Sequence, residues 1–359
     1  MERIPNITGL RFFLAFLVVI FHVSEFCSKH EIPFYNSLPV FNKGYEAGCV
    51  FFSLSGFLII RQLYVEKELQ NTISLKNFYT RRILRIFPLY FLILFFGLIY
   101  YKYILSNFGF SGSFNDDYNL YEGLLLSVFF MPNVFASLYS PGGIIEVLWS
   151  IGVEEQFYLF IAPFLLLFPL RRHLYFLLFF TIGFFALYYG VEGNFFARFN
   201  MLFFYFTASG IVSILVLKCS YLFNNKIVAS VLFLMFGVYF TTNFFNDLLS
   251  NANYNFISML LFSMVIGFLS VKKYLFLNNR LITYLGKISY GIYVYHSIVI
   301  QFLGLVCIKI FAGFRIDYFI IVGFYNVFVI VLTIIISHFS YQYFEKFFMN
   351  LYRKKLISS

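Results

Sequence analysis

TGLRFFLAFLVVIFHVSEFC, residues 8–27, decides the fold. Twenty residues of α-helix rise about 30 Å, the thickness of the hydrocarbon core of a bilayer. No small-residue cleavage site follows its apolar centre, Phe12 to Val23, so the stretch reads as a retained first helix and not as a signal peptide. Nine further stretches of the same character follow, at about 47–64, 86–106, 147–169, 174–191, 200–217, 227–244, 254–271, 288–308 and 317–338. The sequence therefore predicts an all-α fold, a polytopic integral membrane bundle of about ten transmembrane helices. Residues 120–135 are also apolar, but Pro132 and Asn133 interrupt them, which suits an interfacial or re-entrant piece.

Composition agrees. The 359 residues are 61% hydrophobic and only 12% charged. A soluble domain carries roughly 25% charged residues, so this chain has too little polar surface to coat a water-soluble body. Its 24% of aromatic residues suits lipid-facing helices and interfacial belts. A net charge of +10 would fit nucleic acid, but the basic residues occupy the gaps between apolar segments and not one soluble face. Membrane lipid and topology control explain them, and no nucleic-acid partner is expected. With both termini in the cytoplasm, only six of the 26 lysines and arginines fall outside: Lys29, Lys43, Lys102, Arg198, Lys309 and Arg315. The other 20 fall inside, and reversing the orientation would invert the split. N- and C-termini are thus predicted to be cytoplasmic. No loop is long enough to fold alone, so 1–359 reads as a single membrane-embedded domain with no soluble appended domain. Cys27, Cys49, Cys219 and Cys307 lack metal-type spacing. A Cys27–Cys49 disulfide competes there with four buried thiols.

Ionisable groups inside spans are costly and usually functional. Arg11 and His22 lie eleven residues apart on the first helix. Eleven steps of 100° end about 20° past three full turns, and the rise is about 16.5 Å, so both side chains share one face. An interfacial histidine bonded to a carbonyl is the alternative for His22. Glu154 and Glu155, in LWSIGVEEQFYL at 148–159, cannot both remain unpaired in hydrocarbon. One could orient His22 as a carboxylate orients a catalytic imidazole, or both could hold helices together through an arginine. Arg81, Arg82 and Arg85 cluster at the start of the third span, where Arg82 and Arg85 are neighbours on a helix. The positive end of the helix dipole adds to them, which suits a phosphate ligand; plain positive-inside anchoring is the alternative. His296 has Tyr293 one turn away on the ninth span, either as a structural pair or as a substrate contact. Ser53, Ser55 and Gly56 on the second span suggest close helix packing.

Five pieces in order, ITGLRFFLAFLVVIFH at 7–22, FFSLSGFLI at 51–59, RRILRIFPLY at 81–90, LWSIGVEEQFYL at 148–159 and ISYGIYVYH at 288–296, resemble the bacterial membrane acyltransferase-3 family. Members of that family O-acylate surface polysaccharides, peptidoglycan and lipopolysaccharide. The resemblance implies a multi-pass enzyme of the bacterial inner membrane and cell envelope. It would transfer an acyl group, acetyl foremost, from cytoplasmic acyl-CoA to a hydroxyl of an extracytoplasmic glycan such as O-antigen, capsule or exopolysaccharide. It implies that Arg11 and His22 are the family's arginine–histidine pair, that Arg82 and Arg85 are its arginine pair, and that Glu154 and Glu155 contribute to the active site. No metal is implied. Some members carry a soluble extracytoplasmic domain. A chain without one either completes transfer itself or hands the acyl group to a separate extracytoplasmic transferase partner. The chain departs from the common pattern at Asn6–Thr8 and at Ile151–Gly152, neither of which touches the ionisable residues.

The expected mechanism has Arg82 and Arg85, with Arg11 nearby, holding the phosphates of acyl-CoA while His22, oriented by Glu154 or Glu155, acts as general base. A transporter or flippase is the runner-up, since polar groups inside spans suit it as well, although no inverted repeat is visible. A structural scaffold is a third reading.

Overall fold

The structure is a computed structural model that describes residues 4–35, 37–105, 118–311 and 318–357. Arg3 and Arg315 of the topology count, and loop residues 107–117, lie outside the described residues. The chain is 84% helical, with no strand among the described residues. In chain order the helices are α1 (Ile7–Lys29), α2 (Gly44–Gln70), α3 (Leu75–Ile99), α4 (Leu120–Val128), α5 (Pro132–Tyr139), α6 (Gly143–Glu146), α7 (Trp149–Leu167), α8 (His173–Gly190) and α9 (Phe195–Arg198). There follow α10 (Phe203–Lys218), α11 (Lys226–Thr241), α12 (Phe244–Leu248), α13 (Asn251–Val271), α14 (Arg280–Lys287), α15 (Ser289–Phe311), α16 (Tyr318–Phe339) and α17 (Lys346–Ile357).

Among the described residues, eight helical stretches are long and apolar enough to cross a membrane. They answer to eight of the ten predicted spans, and the protein is an all-α polytopic membrane protein. The other two are α10 and α11, each 16 residues long. Sixteen residues rise about 24 Å, short of the roughly 30 Å of hydrocarbon. The sequence explains where they stop and start: Asn225 caps α11 by accepting from the backbone N–H of Ile227 and Val228, a role polar Asn fills well. Segment 120–135 forms the two short helices α4 and α5, broken at Phe130, whose φ of 58° no helix tolerates. All four cysteines are free thiols.

The described chain divides into two compact units. The first comprises 1–18, 36–73 and 157–287. Its centre is α10, which packs on α2, α8 and α13 and buries most of its length. An added Cβ at Gly56 would meet the Phe206 carbonyl oxygen at 2.1 Å, so the small residues of the second span do serve close packing. Lys67, buried in α2, donates to the carbonyls of Leu165 (2.7 Å), Leu166 (2.8 Å) and Phe168, closing the C-terminal end of α7. These are acceptors that a helix end leaves without partners. Asn6 pins the start of α1: its side-chain amide donates to the carbonyls of Leu269 (2.6 Å) and Lys272 (2.5 Å), and its oxygen accepts from Tyr274 N (2.9 Å).

The second unit comprises 19–35, 74–156 and 288–359. Here α15 packs on α16, α3 and α6, and α17 packs on α3. The break between α4 and α5 is held against α7: Gln156 donates to Phe130 O (2.6 Å) and Asn133 Oδ1 (2.8 Å), and Phe130 sits among the rings of Phe87, Tyr90 and Phe91. At Gly304 in α15 an added Cβ would lie 2.1 Å from the ring of Phe26, so the glycine allows α1 to approach α15 closely. Phe26 lies one turn after His22.

Candidate active site

The candidate site lies within the second unit, and its centre is His22 on α1. His22 Nδ1 donates to Glu25 Oε2 at 2.9 Å. A carboxylate only accepts, so Nδ1 carries a proton, and in the neutral form of the ring Nε2 holds the lone pair. Glu25 in turn accepts from Lys29 Nζ at 2.9 Å, one turn further along the helix. The His22 and Glu25 side chains are 33% and 39% exposed, so the pair is reachable and not sealed in the core. The imidazole of His296 on α15 stacks against that of His22, with centroids 5.2 Å apart and planes 25° from parallel. Glu146, at the end of α6, lies within electrostatic range of His22, Glu25 and Lys29 and accepts from Gly142 N at 3.3 Å.

A seam of polar side chains leads away from this centre. Glu146 ends α6, and Ser150 and Glu154, four residues apart on α7, share one face of that helix. Tyr290, Tyr293 and His296 recur every three residues on α15 and run the opposite way. Ser150 Oγ and Tyr293 Oη share a hydrogen bond of 2.6 Å. Glu154 lies within electrostatic range of both Tyr293 and Tyr290. Along α7 the four steps from Ser150 to Glu154 rise about 6 Å.

At the far end of the seam stand the arginines of α3. Arg82 lies within electrostatic range of Glu155, which is buried. Arg85 lies within range of Glu345, also buried, which sits on a π-helical turn, Ser340–Glu345. Such turns are rare and often mark functional sites. Ser340 holds that carboxylate at 3.3 Å and itself accepts from Tyr295 at 3.0 Å. Tyr290 falls within range of Glu154, Glu155 and Glu345 together and donates to Ile86 O at 2.9 Å.

The structure thus brings His22, Arg82, Arg85, Glu154 and Glu155 into one unit. Arg11 falls in the first unit, on the same unbroken helix as His22. Among the described residues no three His, Cys, Asp or Glu side chains gather as ligands for a metal. The carboxylate that holds His22 is Glu25, while Glu155 belongs with Arg82. Glu25 was legible as the i+3 neighbour of His22, a spacing at which helical side chains meet. Glu146 lay one residue outside the predicted fourth span. The stacking of His296 on His22 joins residues 274 positions apart, which no local spacing announces.

Residues 4–338 match the family model of an acyltransferase domain, acyltransferase-3. The chain belongs to that family. Among its relatives is a candidate acetyltransferase of Acidianus two-tailed virus, 28% identical over 319 residues, covering 84% of this chain and 85% of that one. A peptidoglycan O-acetyltransferase of Listeria monocytogenes is 27% identical over 179 residues, which is 46% of this chain and 25% of that protein. An uncharacterized Haemophilus influenzae protein is 32% identical over 131 residues, 34% of this chain and 49% of that one. The matched stretches thus span a quarter of the Listeria protein and about half of the Haemophilus one. No solved structure matches the chain. Family membership makes this membrane protein an acyltransferase, with His22 and its surroundings as the candidate machinery.

Proposed function

We propose that this acyltransferase takes an acetyl group from acyl-CoA on the cytoplasmic side of a bacterial cell membrane and places it on a hydroxyl of an extracytoplasmic glycan. The observation that carries this reading is the His22–Glu25 pair at one end of a polar seam whose other end holds Arg82 and Arg85. The relationship to a peptidoglycan O-acetyltransferase supports a glycan acceptor.

The geometry suggests the division of labour. Arg82 and Arg85 take the donor's phosphates. A guanidinium has five N–H donors in a fork, so a carboxylate and a phosphate can share it. Arg11 lies on the same helix as His22, about 16.5 Å before it. The long thiol arm lies along the seam between α7 and α15. His22 Nε2 removes the proton of the acceptor hydroxyl as its oxygen attacks the thioester carbonyl, and Glu25 stabilises the imidazolium that forms. Glu154 keeps the seam polar beside Tyr293. Transfer ends on the glycan itself or on a separate extracytoplasmic partner that passes the group on. Two measurements test this together. Mass spectrometry of surface glycans from cells with and without the gene should show an acetyl increment present only with it. Purified protein in nanodiscs should release free thiol from acetyl-CoA. An unchanged glycan spectrum together with an inert purified protein would remove the proposal.

A further inference from the structure

His296 presents an unusual buried group. It is 0% exposed, and neither ring nitrogen has a hydrogen-bond partner. The carbonyls of Ile292 and Tyr293, in its own helix, are close enough to favour an N–H on the ring, but neither meets the full geometry of a hydrogen bond. A buried polar group without a partner costs about 1–3 kcal/mol, so each case calls for a reason. A structural histidine looks different. His173 in the same chain points Nε2 at the carbonyls of Leu165 (2.9 Å) and Phe168 (3.0 Å). His296 instead lies flat against His22 at 5.2 Å, with Tyr293 edge-on at 5.9 Å. A neutral imidazole always carries one N–H and one lone pair, whichever tautomer is present. In α15 such a donor is fixed by packing beside the proposed base, with no hydrogen bond of full geometry to give up.

We infer that His296 is a second catalytic imidazole, whose N–H donates to the carbonyl oxygen of the acyl donor as that oxygen becomes an oxyanion. This rests on the acyl-transfer reading of His22. In the first step the acceptor hydroxyl oxygen bonds to the thioester carbon, its proton passes to His22 Nε2, and the carbonyl π pair moves to the oxygen held by His296. In the second step that pair returns, the carbon–sulfur bond breaks, and the leaving thiolate takes the proton from His22. The products are an ester and free CoA thiol, with both imidazoles restored. A donor already in place and desolvated costs no reorganisation at the moment charge develops.

The test compares His296→Phe and His296→Gln with the parent, as full-length protein in nanodiscs with acetyl-CoA as the probe, following thiol release and thermal stability. Phe fills the same space with no polar atom, so His296→Phe should fold with a melting temperature no lower than the parent. Its kcat should fall roughly 10²–10³-fold, the loss typical of one oxyanion donor, with KM within about threefold. His296→Gln, which restores an N–H, should be at least about tenfold faster than His296→Phe. Retention of most of the parent kcat by His296→Phe would overturn the inference. So would a His296→Phe protein that fails to fold, since the nitrogens would then be structural, or a Gln variant no faster than Phe. If the parent itself releases no thiol, the acyl-transfer reading fails first and this inference with it.

Discussion

Glu25→Gln tests the catalytic pair with little disturbance of the fold. The amide oxygen still accepts from His22 Nδ1, so the tautomer survives, and only the negative charge is lost. Two unit charges about 4 Å apart attract by about 4 kcal/mol in a surface-like medium. The partners are 33% and 39% exposed, so solvent screening removes around half of that. About 2 kcal/mol of imidazolium stabilisation remains, which corresponds to about 30-fold in rate. The fold has less at stake, because helical pairs of this kind contribute about 0.2–0.5 kcal/mol each. The assay is thiol release from acetyl-CoA by full-length protein in nanodiscs. Lys29→Gln serves as the control: Lys29 is 57% exposed and bonds to Glu25 and not to His22, so its rate should stay close to the parent's. A Glu25→Gln protein that folds normally and turns over at the parental rate would refute the view that Glu25 supports a charged His22.

Three further outcomes follow from the packing. Lys67→Met should lower stability by about 2–3 kcal/mol, because carbonyls of Leu165, Leu166 and Phe168 lose a charged donor, and a thermal melt should show it without a change in rate per folded molecule. Gly304→Ala places a methyl 2.1 Å from the Phe26 ring and should cost about 1–3 kcal/mol while lowering the rate more than the stability, since Phe26 is one turn from His22. Adding Phe26→Leu should recover both. Arg82→Ala removes the cation within electrostatic range of the buried Glu155 and should lower the melting temperature. Glu155→Leu in the same chain should restore the melting temperature but not the affinity for acetyl-CoA, as a double-mutant cycle would show.

Long apolar stretches were legible because a bilayer imposes a minimum length on anything that crosses it. That is why α1, α2, α3, α7, α8, α13, α15 and α16 follow the predicted spans. The rule lost its grip at α10, which is covered by α2, α8 and α13 and so meets protein instead of lipid. The start of α3 is instructive in another way. The helix begins at Leu75, about a turn and a half before Arg81, because Ser74 caps it by accepting from Asn77 N. Hydropathy starts that span at 86, with the arginines at the N-terminus of the helix, whereas the structure seats them more than a turn inside α3. His22 is legible as an ionisable group in an apolar run, and Glu25 meets it because side chains three residues apart are neighbours on a helix. His296 and Glu345 depend on how distant helices pack, information that spacing along one helix does not hold.

The central claim is that His22 Nε2, held by Glu25, is the base that delivers an acyl group to a hydroxyl. It is tested most directly by measuring acetyl-CoA turnover for the parent and His22→Ala side by side, at equal amounts of folded full-length protein in nanodiscs. The account predicts thiol release by the parent and a loss of at least about 10²-fold in kcat for His22→Ala, the scale of a positioned general base. Equal turnover by the two proteins would contradict it.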